Sequence, residues 1–269
     1  MKILEIKNLN YSYVNKKVIN NLSLSVEEGS FTTIVGNNTS GKTTLIKLIC
    51  GLLDSKESIV VNYSFIDSNR IHSHSKLFGV VFSNSNNKLL FKDVYSEMAF
   101  SLENLSYNEK EIENEIINVA REFKNTKFLD KKIDSLTESE KQELLIMISL
   151  LHKPKILLLD SPFTMMTNET KRKIINILNN RIKKEKLTVI LTTLDLEEIE
   201  QSDYTYVINN GKVVMEGSSK SIYKEEKILT NSGLQLPFMI DLSHKLEFYE
   251  LISDEILDME KMVNTLWKK

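Results

Sequence analysis

Two short groups of residues have the types and spacing of a phosphate-handling site. Gly36-Asn37-Asn38-Thr39-Ser40-Gly41-Lys42-Thr43 fits G-x-x-x-x-G-K-[ST] without deviation, and Thr44 follows it. Gly36 and Gly41 permit backbone angles that turn successive N–H groups inward, at a helix N-terminus that favours an anion. Lys42 is placed to reach the β- and γ-phosphates of a nucleotide, and the Thr43 hydroxyl to hold Mg²⁺. The second group is Lys155-Ile156-Leu157-Leu158-Leu159-Asp160, an apolar run that ends in a carboxylate. Asp160 is expected to hold Mg²⁺ directly or through water, so ATP and Mg²⁺ are the expected ligands. Alone, the first group could merely cap a helix, and Asp160 could merely open the turn before Pro162. Their flanks and their pairing favour the phosphate site.

Positioning these residues needs particular elements. Phe31 to Val35 (FTTIV) is a compact β-branched strand before Gly36, and Leu45, Ile46, Leu48, Ile49 and Leu52 give a helix after Gly41. The first 35 residues alternate apolar and polar, as short strands separated by Asn-rich turns. Residues 58–66 and 78–82 read as strands. From about Tyr95 to Leu151 the pattern is helical, with Ile112, Ile116, Val119, Ala120 and Phe123 on one face and a polar-then-apolar helix from Glu138. Asn168 to Lys184 predicts an amphipathic helix, Thr188 to Thr192 a strand, and Asp203 to Met215 a hairpin turning at Asn209-Asn210-Gly211. Strands alternating with helices predict an α/β fold with a parallel sheet.

Composition narrows the class. The chain has 269 residues, 41% of them hydrophobic and 27% charged, enough for a packed core. A net charge of −2 provides no basic field for nucleic acid, so none is expected as a partner. Cys50 is the one cysteine, which excludes an intrachain disulfide and fits a reducing compartment. The N-terminus MKILEIKNLN has no signal-peptide core, and the apolar stretch Leu144 to Leu151 is far short of the ~20 residues a membrane span needs. A membrane role would therefore need a partner.

These residues resemble the ATP-binding cassette (ABC) ATPases over about residues 1–225. The likeness rests on the phosphate loop, on ILLLD followed by Ser161-Pro162-Phe163, and on Asn210-Gly211-Lys212-Val213 with Glu216-Gly217 beyond. It also rests on Leu136-Thr137-Glu138-Ser139-Glu140, where that family places its signature. The resemblance implies a P-loop NTPase with a mixed-sheet core, an antiparallel β subdomain and a helical subdomain inserted at about 90–150. It implies that Tyr13 stacks on adenine; the less favoured alternative is a strand residue facing the core.

Asn231-Ser232-Gly233-Leu234-Gln235-Leu236-Pro237-Phe238, Leu242-Ser243-His244-Lys245-Leu246 and the Val80 to Asn87 segment narrow the match. They resemble the energy-coupling-factor and cobalt-uptake ATP-binding subunits. That implies a second ABC ATPase subunit, a transmembrane scaffold and a substrate-binding membrane subunit as partners. It places the chain on the cytoplasmic face of the membrane, powering uptake of a vitamin or a transition-metal ion. Residues 226–269, with Leu246, Phe248, Tyr249, Leu251, Ile252, Ile256, Leu257, Met262 and Leu266, predict a helical extension that packs on its own domain or contributes to a dimer.

The departures from the family fall on chemistry. Ser161 stands where the family has its carboxylate base, and a serine hydroxyl accepts a proton poorly at neutral pH. Leu194 stands at the histidine position and Ser83 at the glutamine position, while Met165-Met166-Thr167 replaces an aspartate-bearing loop. The four histidines, at 72, 74, 152 and 244, are out of register with the lost one. Glu138 and Glu140 replace signature residues that would face a partner's nucleotide. Like charges 4 Å apart repel by about 4 kcal/mol at an effective dielectric near 20. No catalytic residue is then intact: the chain is expected to bind ATP and hydrolyse it poorly. A base supplied by Glu197 or Glu169 is the alternative within this reading. A non-hydrolysing regulatory subunit is a second reading. A small-molecule kinase is a third, disfavoured because arginines occur only at 70, 121, 172 and 181.

Overall fold

The computed structural model describes residues 1–66, 68, 76–83, 89–252, 256 and 259–267. Arg70, His72, His74, Asn84 to Asn87 and Leu257 lie outside the described residues. Two sheets enclose one helix. The first sheet has the order β2-β1-β4-β5, from β1 (Lys2–Tyr13), β2 (Lys16–Glu27), β4 (Ile59–Val61) and β5 (Ser64–Phe65). Its pairings are antiparallel.

The expected short strands at the start of the chain are instead two strands of 12 residues each. Asn15 sits in the turn between them, but the other Asn-rich points do not end the strands. Asn8 (φ 49) and Asn21 (φ 52) enter the left-handed region where the β1–β2 register shifts, so they make bulges. Residues 58–66 are likewise a hairpin, because Asn62 (φ 48) and Tyr63 (φ 66) together turn the chain between β4 and β5.

The second sheet has the order β10-β9-β3-β8-β7-β6. Its strands are β3 (Phe31–Val35), β6 (Phe78–Phe82), β7 (Ile156–Asp160), β8 (Thr188–Thr193), β9 (Tyr204–Asn209) and β10 (Lys212–Gly217). Five run parallel, and β10 closes the edge antiparallel as the hairpin partner of β9. Each residue of β3, β7 and β8 is buried, which explains why their sequences are unbroken apolar and β-branched runs rather than alternating ones.

Helix α1 (Lys42–Ile49) lies between the sheets. Leu45, Ile46, Leu48 and Ile49 share a core with Leu4, Ile6 and Leu22 on one side and Leu158 and Ile190 on the other. The second core joins the opposite face of the mixed sheet to four helices: α2 (Val94–Glu103), α3 (Glu109–Glu122), α4 (Glu138–Leu150) and α5 (Asn168–Glu185). The predicted apolar face of Ile112, Ile116, Val119, Ala120 and Phe123 is buried there. Buried Arg181 of α5 donates to Glu122 Oε1 and Oε2 at 2.5–3.1 Å and to the Leu150 carbonyl at 3.2 Å. It thus ties α5 to α3 and α4, away from any phosphate.

After β10 come α6 (Ser219–Tyr223), α7 (Glu226–Asn231), α8 (Phe238–Phe248) and α9 (Met259–Trp267). Ile252, Ile256 and Met262 form a small core with Met239, Leu242 and Leu246, while Phe248, Tyr249 and Trp267 are exposed. Among the described residues no helix is long and apolar enough to cross a membrane.

One turn joins the two sheets. Gly211 (φ 72) lies so close to β2 that a Cβ would overlap the Val18 carbonyl oxygen and sit 2.9 Å from Ile19 Cα. Its N–H donates to the Ser40 carbonyl at 3.1 Å, and its carbonyl accepts the Asn20 N–H at 2.9 Å. Gly211→Ala should therefore lower stability by about 2 kcal/mol or more, from overlap and left-handed strain. Denaturant unfolding measures it; an unchanged midpoint would show that this junction yields freely.

Candidate functional site

The phosphate loop leaves β3 at Val35. Gly36 N–H donates to the Thr193 carbonyl at 3.1 Å, and a Cβ at Gly36 would overlap the Ile208 carbonyl oxygen and lie 2.6 Å from Ser40 Oγ. Only glycine fits this approach. Thr39 (φ 71) and Gly41 (φ 104) turn the loop into α1. The N-terminus of α1 has no side-chain cap and no acidic residue in its first turn, so its N–H groups are left for an anion. Ser40 Oγ is buried with no hydrogen-bond partner, an unmet polar atom inside the cradle. Lys42 Nζ donates to the carbonyls of Gly36 at 2.7 Å and Asn37 at 2.8 Å. Burial pushes this ammonium below its usual pKa, and the Asp160 carboxylate opposes that. A positive group over a ring of amides fits a nucleotide's phosphates.

Asp160 ends β7 and is 2% exposed. Thr43 Oγ1 donates to its Oδ2 at 2.7 Å, and Thr192 Oγ1 donates to its Oδ1 at 2.7 Å. A hydroxyl and a carboxylate, both hard oxygen donors, suit Mg²⁺ and can hold it beside the phosphates. Sequence reasoning found Thr43 and Asp160 and missed Thr192. The only signal was a hydroxyl in a β-branched run. Its partner follows from the β7–β8 register, which pairs Asp160 with Thr192.

A cleft of about 760 Å³ opens over this floor and brings together Tyr13, residues 38–39 and 41–44, Ser83, Glu138, Ser161 and Leu194. Gly36, Asn37 and Ser40 lie beneath it as loop framework. Lys16 and Val18 also line it, unforeseen because β2 approaches only through the sheet-to-sheet packing. Tyr13 is 40% exposed at the cleft and meets Tyr11 edge to face at 5.0 Å, so it is not a core residue of its strand. The tail also reaches the loop. A Cβ at Gly233 (φ 70) would sit 3.2 Å from Asn37 Nδ2, and Leu234 shares a core with Val35.

Ser83, Ser161 and Leu194 all line this cleft. Ser161 adopts φ 48, with its N–H donated to the Thr192 carbonyl at 2.9 Å and its carbonyl accepting from Thr164 Oγ1 at 3.2 Å. Leu194 presents an apolar side chain, 52% exposed. Glu169 and Glu197 are exposed and do not line the cleft. Glu198, next to Glu197, is buried against Lys171 at 2.8 Å, and burial raises its carboxyl pKa. Glu138 is the one carboxylate lining the cleft among the described residues. His152 is spent on the Phe78 carbonyl at 3.1 Å.

The signature segment differs from the expectation of bare negative charge. Leu136 is buried. Thr137 caps α4, its Oγ1 accepting from Glu140 N–H at 3.2 Å while Glu140 Oε2 accepts from Thr137 N–H at 2.9 Å. This reciprocal cap arises because Thr and Glu stand three apart at a helix start. Lys131 pairs with Glu140 at 2.6 Å and Lys141 with Glu138 at 2.9 Å. The two carboxylates are thus partly neutralised, and the Thr137 and Glu140 amides are engaged by the cap. The Lys131 hydrogen bond first, then the Thr137 N–H, hold the Glu140 carboxyl below its ordinary 4.5. A lowered carboxyl contributes stability in full above the unfolded value and loses it as pH falls through the folded one. Glu140→Ala should cost about 0.5–1 kcal/mol at neutral pH, the scale of a partly exposed ion pair with its cap. That gap should close progressively in unfolding curves taken below pH 4.5; a gap independent of pH would refute the ionic cap.

A glycine-cornered phosphate loop with a buried lysine, a strand-end carboxylate and a mixed sheet flanked by an antiparallel one define a P-loop nucleotide-binding protein. Residues 19–164 match the ABC transporter family, and the chain belongs to it. It is 34% identical to the energy-coupling factor transporter ATP-binding protein EcfA of Pediococcus pentosaceus over 88% of this chain and 86% of that protein. It is 30% identical to EcfA1 of Oenococcus oeni over 100% of this chain and 98% of that protein. Among solved structures it superposes on CbiO1 of Clostridium perfringens, part of the ABC transporter complex cbiONQ. The TM-score is 0.78 at 26% identity, covering 90% of this chain and 99% of that one.

Proposed function

We propose that the chain is the ATP-binding subunit of an energy-coupling-factor type importer, and that it binds Mg²⁺·ATP but turns it over slowly. The relatives named for that transporter support the first part. The second rests on one observation: the floor of Lys42, Thr43 and Asp160 is complete, while the position after Asp160 carries Ser161 and the cleft lining also carries Leu194. In this reading Tyr13 stacks on adenine, Gly36 to Thr44 enclose the phosphates, and Thr43 with Asp160 hold Mg²⁺. Magnesium supplies charge neutralisation at the phosphates. Residues 1–225 form the nucleotide-binding domain with helices inserted at about 90–150. Residues 226–269 form a helical extension that meets a second ATPase subunit through its exposed aromatics.

The partners in this reading are that second ATPase, a transmembrane scaffold and a substrate-binding membrane subunit. They place the chain on the cytoplasmic face of the membrane, in uptake of a vitamin or a transition-metal ion. The partner carries most of the hydrolysis. In the purified pair, mutating the partner's base should cut steady-state ATPase about 100-fold or more. Activity that survives would sink the division of labour. Lys42→Ala in this chain should weaken ATP binding about 10- to 100-fold, read by calorimetry.

A non-hydrolysing regulatory subunit is the second reading, favoured by the engaged amides at Thr137 and Glu140. Phosphate release by the isolated chain, above that of Lys42→Ala, would argue against it.

A further inference from the structure

We propose that Thr192 is a positioning residue for the divalent cation that accompanies the nucleotide, acting through Asp160. The inference rests on the reading of Asp160 and Thr43 as the cation's ligands.

Asp160 is almost wholly buried, and each of its carboxylate oxygens has one hydroxyl donor. Thr43 holds Oδ2 and Thr192 holds Oδ1, both at 2.7 Å. The two donors differ in what a cation would demand of them. Thr43 is itself a ligand in this reading, so its oxygen must turn from donating to Asp160 toward the metal. Thr192 has no such second task. It is 0% exposed on β8 and does not line the cleft. Its hydrogen bond is the one free to persist when a cation binds, and it fixes the rotation of the carboxylate that presents Oδ2 to Thr43.

Its backbone adds a second hold. The Thr192 carbonyl accepts the Ser161 N–H at 2.9 Å, so one residue aligns both Asp160 and the residue after it. Valine would fill the same space and could not donate. Groups that orient a metal ligand in this way typically change metal affinity about 10- to 100-fold when removed.

The test is calorimetric titration of the full chain with ATP, once with MgCl₂ and once with EDTA. Thr192→Val is expected to bind ATP about tenfold more weakly with Mg²⁺ and unchanged in EDTA, because the loop amides and Lys42 hold the phosphates either way. Thr192→Ser should restore the Mg²⁺-dependent affinity. Thr192→Val binding like the wild type in Mg²⁺, or losing affinity equally in both buffers, overturns the proposal, the latter by revealing a merely structural role. If the wild type itself binds ATP equally with and without Mg²⁺, the ligand reading of Asp160 has failed, and the inference with it. If the wild type is Mg²⁺-dependent and the variant is indistinguishable from it, only the inference has failed. Should Thr192→Val not fold, Thr192→Cys replaces it as a weak donor of similar size; it should bind less tightly than Thr192→Ser in Mg²⁺, and equality of the two overturns the proposal.

Discussion

The hydrogen bond between Thr43 and Asp160 joins the first residues of a helix to the end of a strand far along the chain. It can form only if β3 and β7 both flank β8, with all three ending at the same edge of the sheet. That edge is where an open α/β sheet leaves a crevice for ligands. The same arrangement buries Lys42 near Asp160, so that a cation and an anion share a water-poor floor. Each would be costly to bury alone; the loop carbonyls on Lys42 and the hydroxyls on Asp160 supply the hydrogen bonds that offset that cost. Much of the remaining architecture serves this floor. The Gly211 turn of the mixed sheet, wedged against β2, braces the loop on one side, and the Gly233 segment braces it from the C-terminal side.

The walls of the cleft obey a different logic. A serine hydroxyl and a leucine side chain line it. Ser161 is held by its backbone, and Leu194 is half exposed. Floor and walls therefore differ physically: Lys42 and Asp160 are buried and hydrogen-bonded, while Ser161 and Leu194 are partly or largely exposed. The start of α4 is stabilised locally: Thr137 and Glu140 cap each other's amides.

Much of the candidate site was legible before any fold. The phosphate loop is contiguous, so its glycines, lysine and threonine sit together in any structure, and Asp160 announced itself by closing an apolar run. Thr192, Lys16 and Val18 were not legible. Each reaches the site through a neighbouring strand, and register between strands leaves no local trace. The Asn-rich segments misled for a related reason. Asparagine favours left-handed backbone equally in a turn and in a bulge, and only the pairing of β1 with β2 decides which one results.

The sequence by itself determined what is local. Backbone permissiveness at Gly36 and Gly41, the apolar runs of the buried strands and the helix starts are all properties of neighbours along the chain. Only the tertiary structure decided what is shared between distant segments: which hydroxyls grip Asp160, that Tyr13 lies at the cleft, that Glu140 is paired with Lys131, and that the tail rests on Asn37. The reason is physical. Local conformation follows from sterics and periodicity within a few residues, whereas hydrogen bonds and ion pairs between elements depend on strand order and register. Those are set by how the whole apolar surface is buried at once.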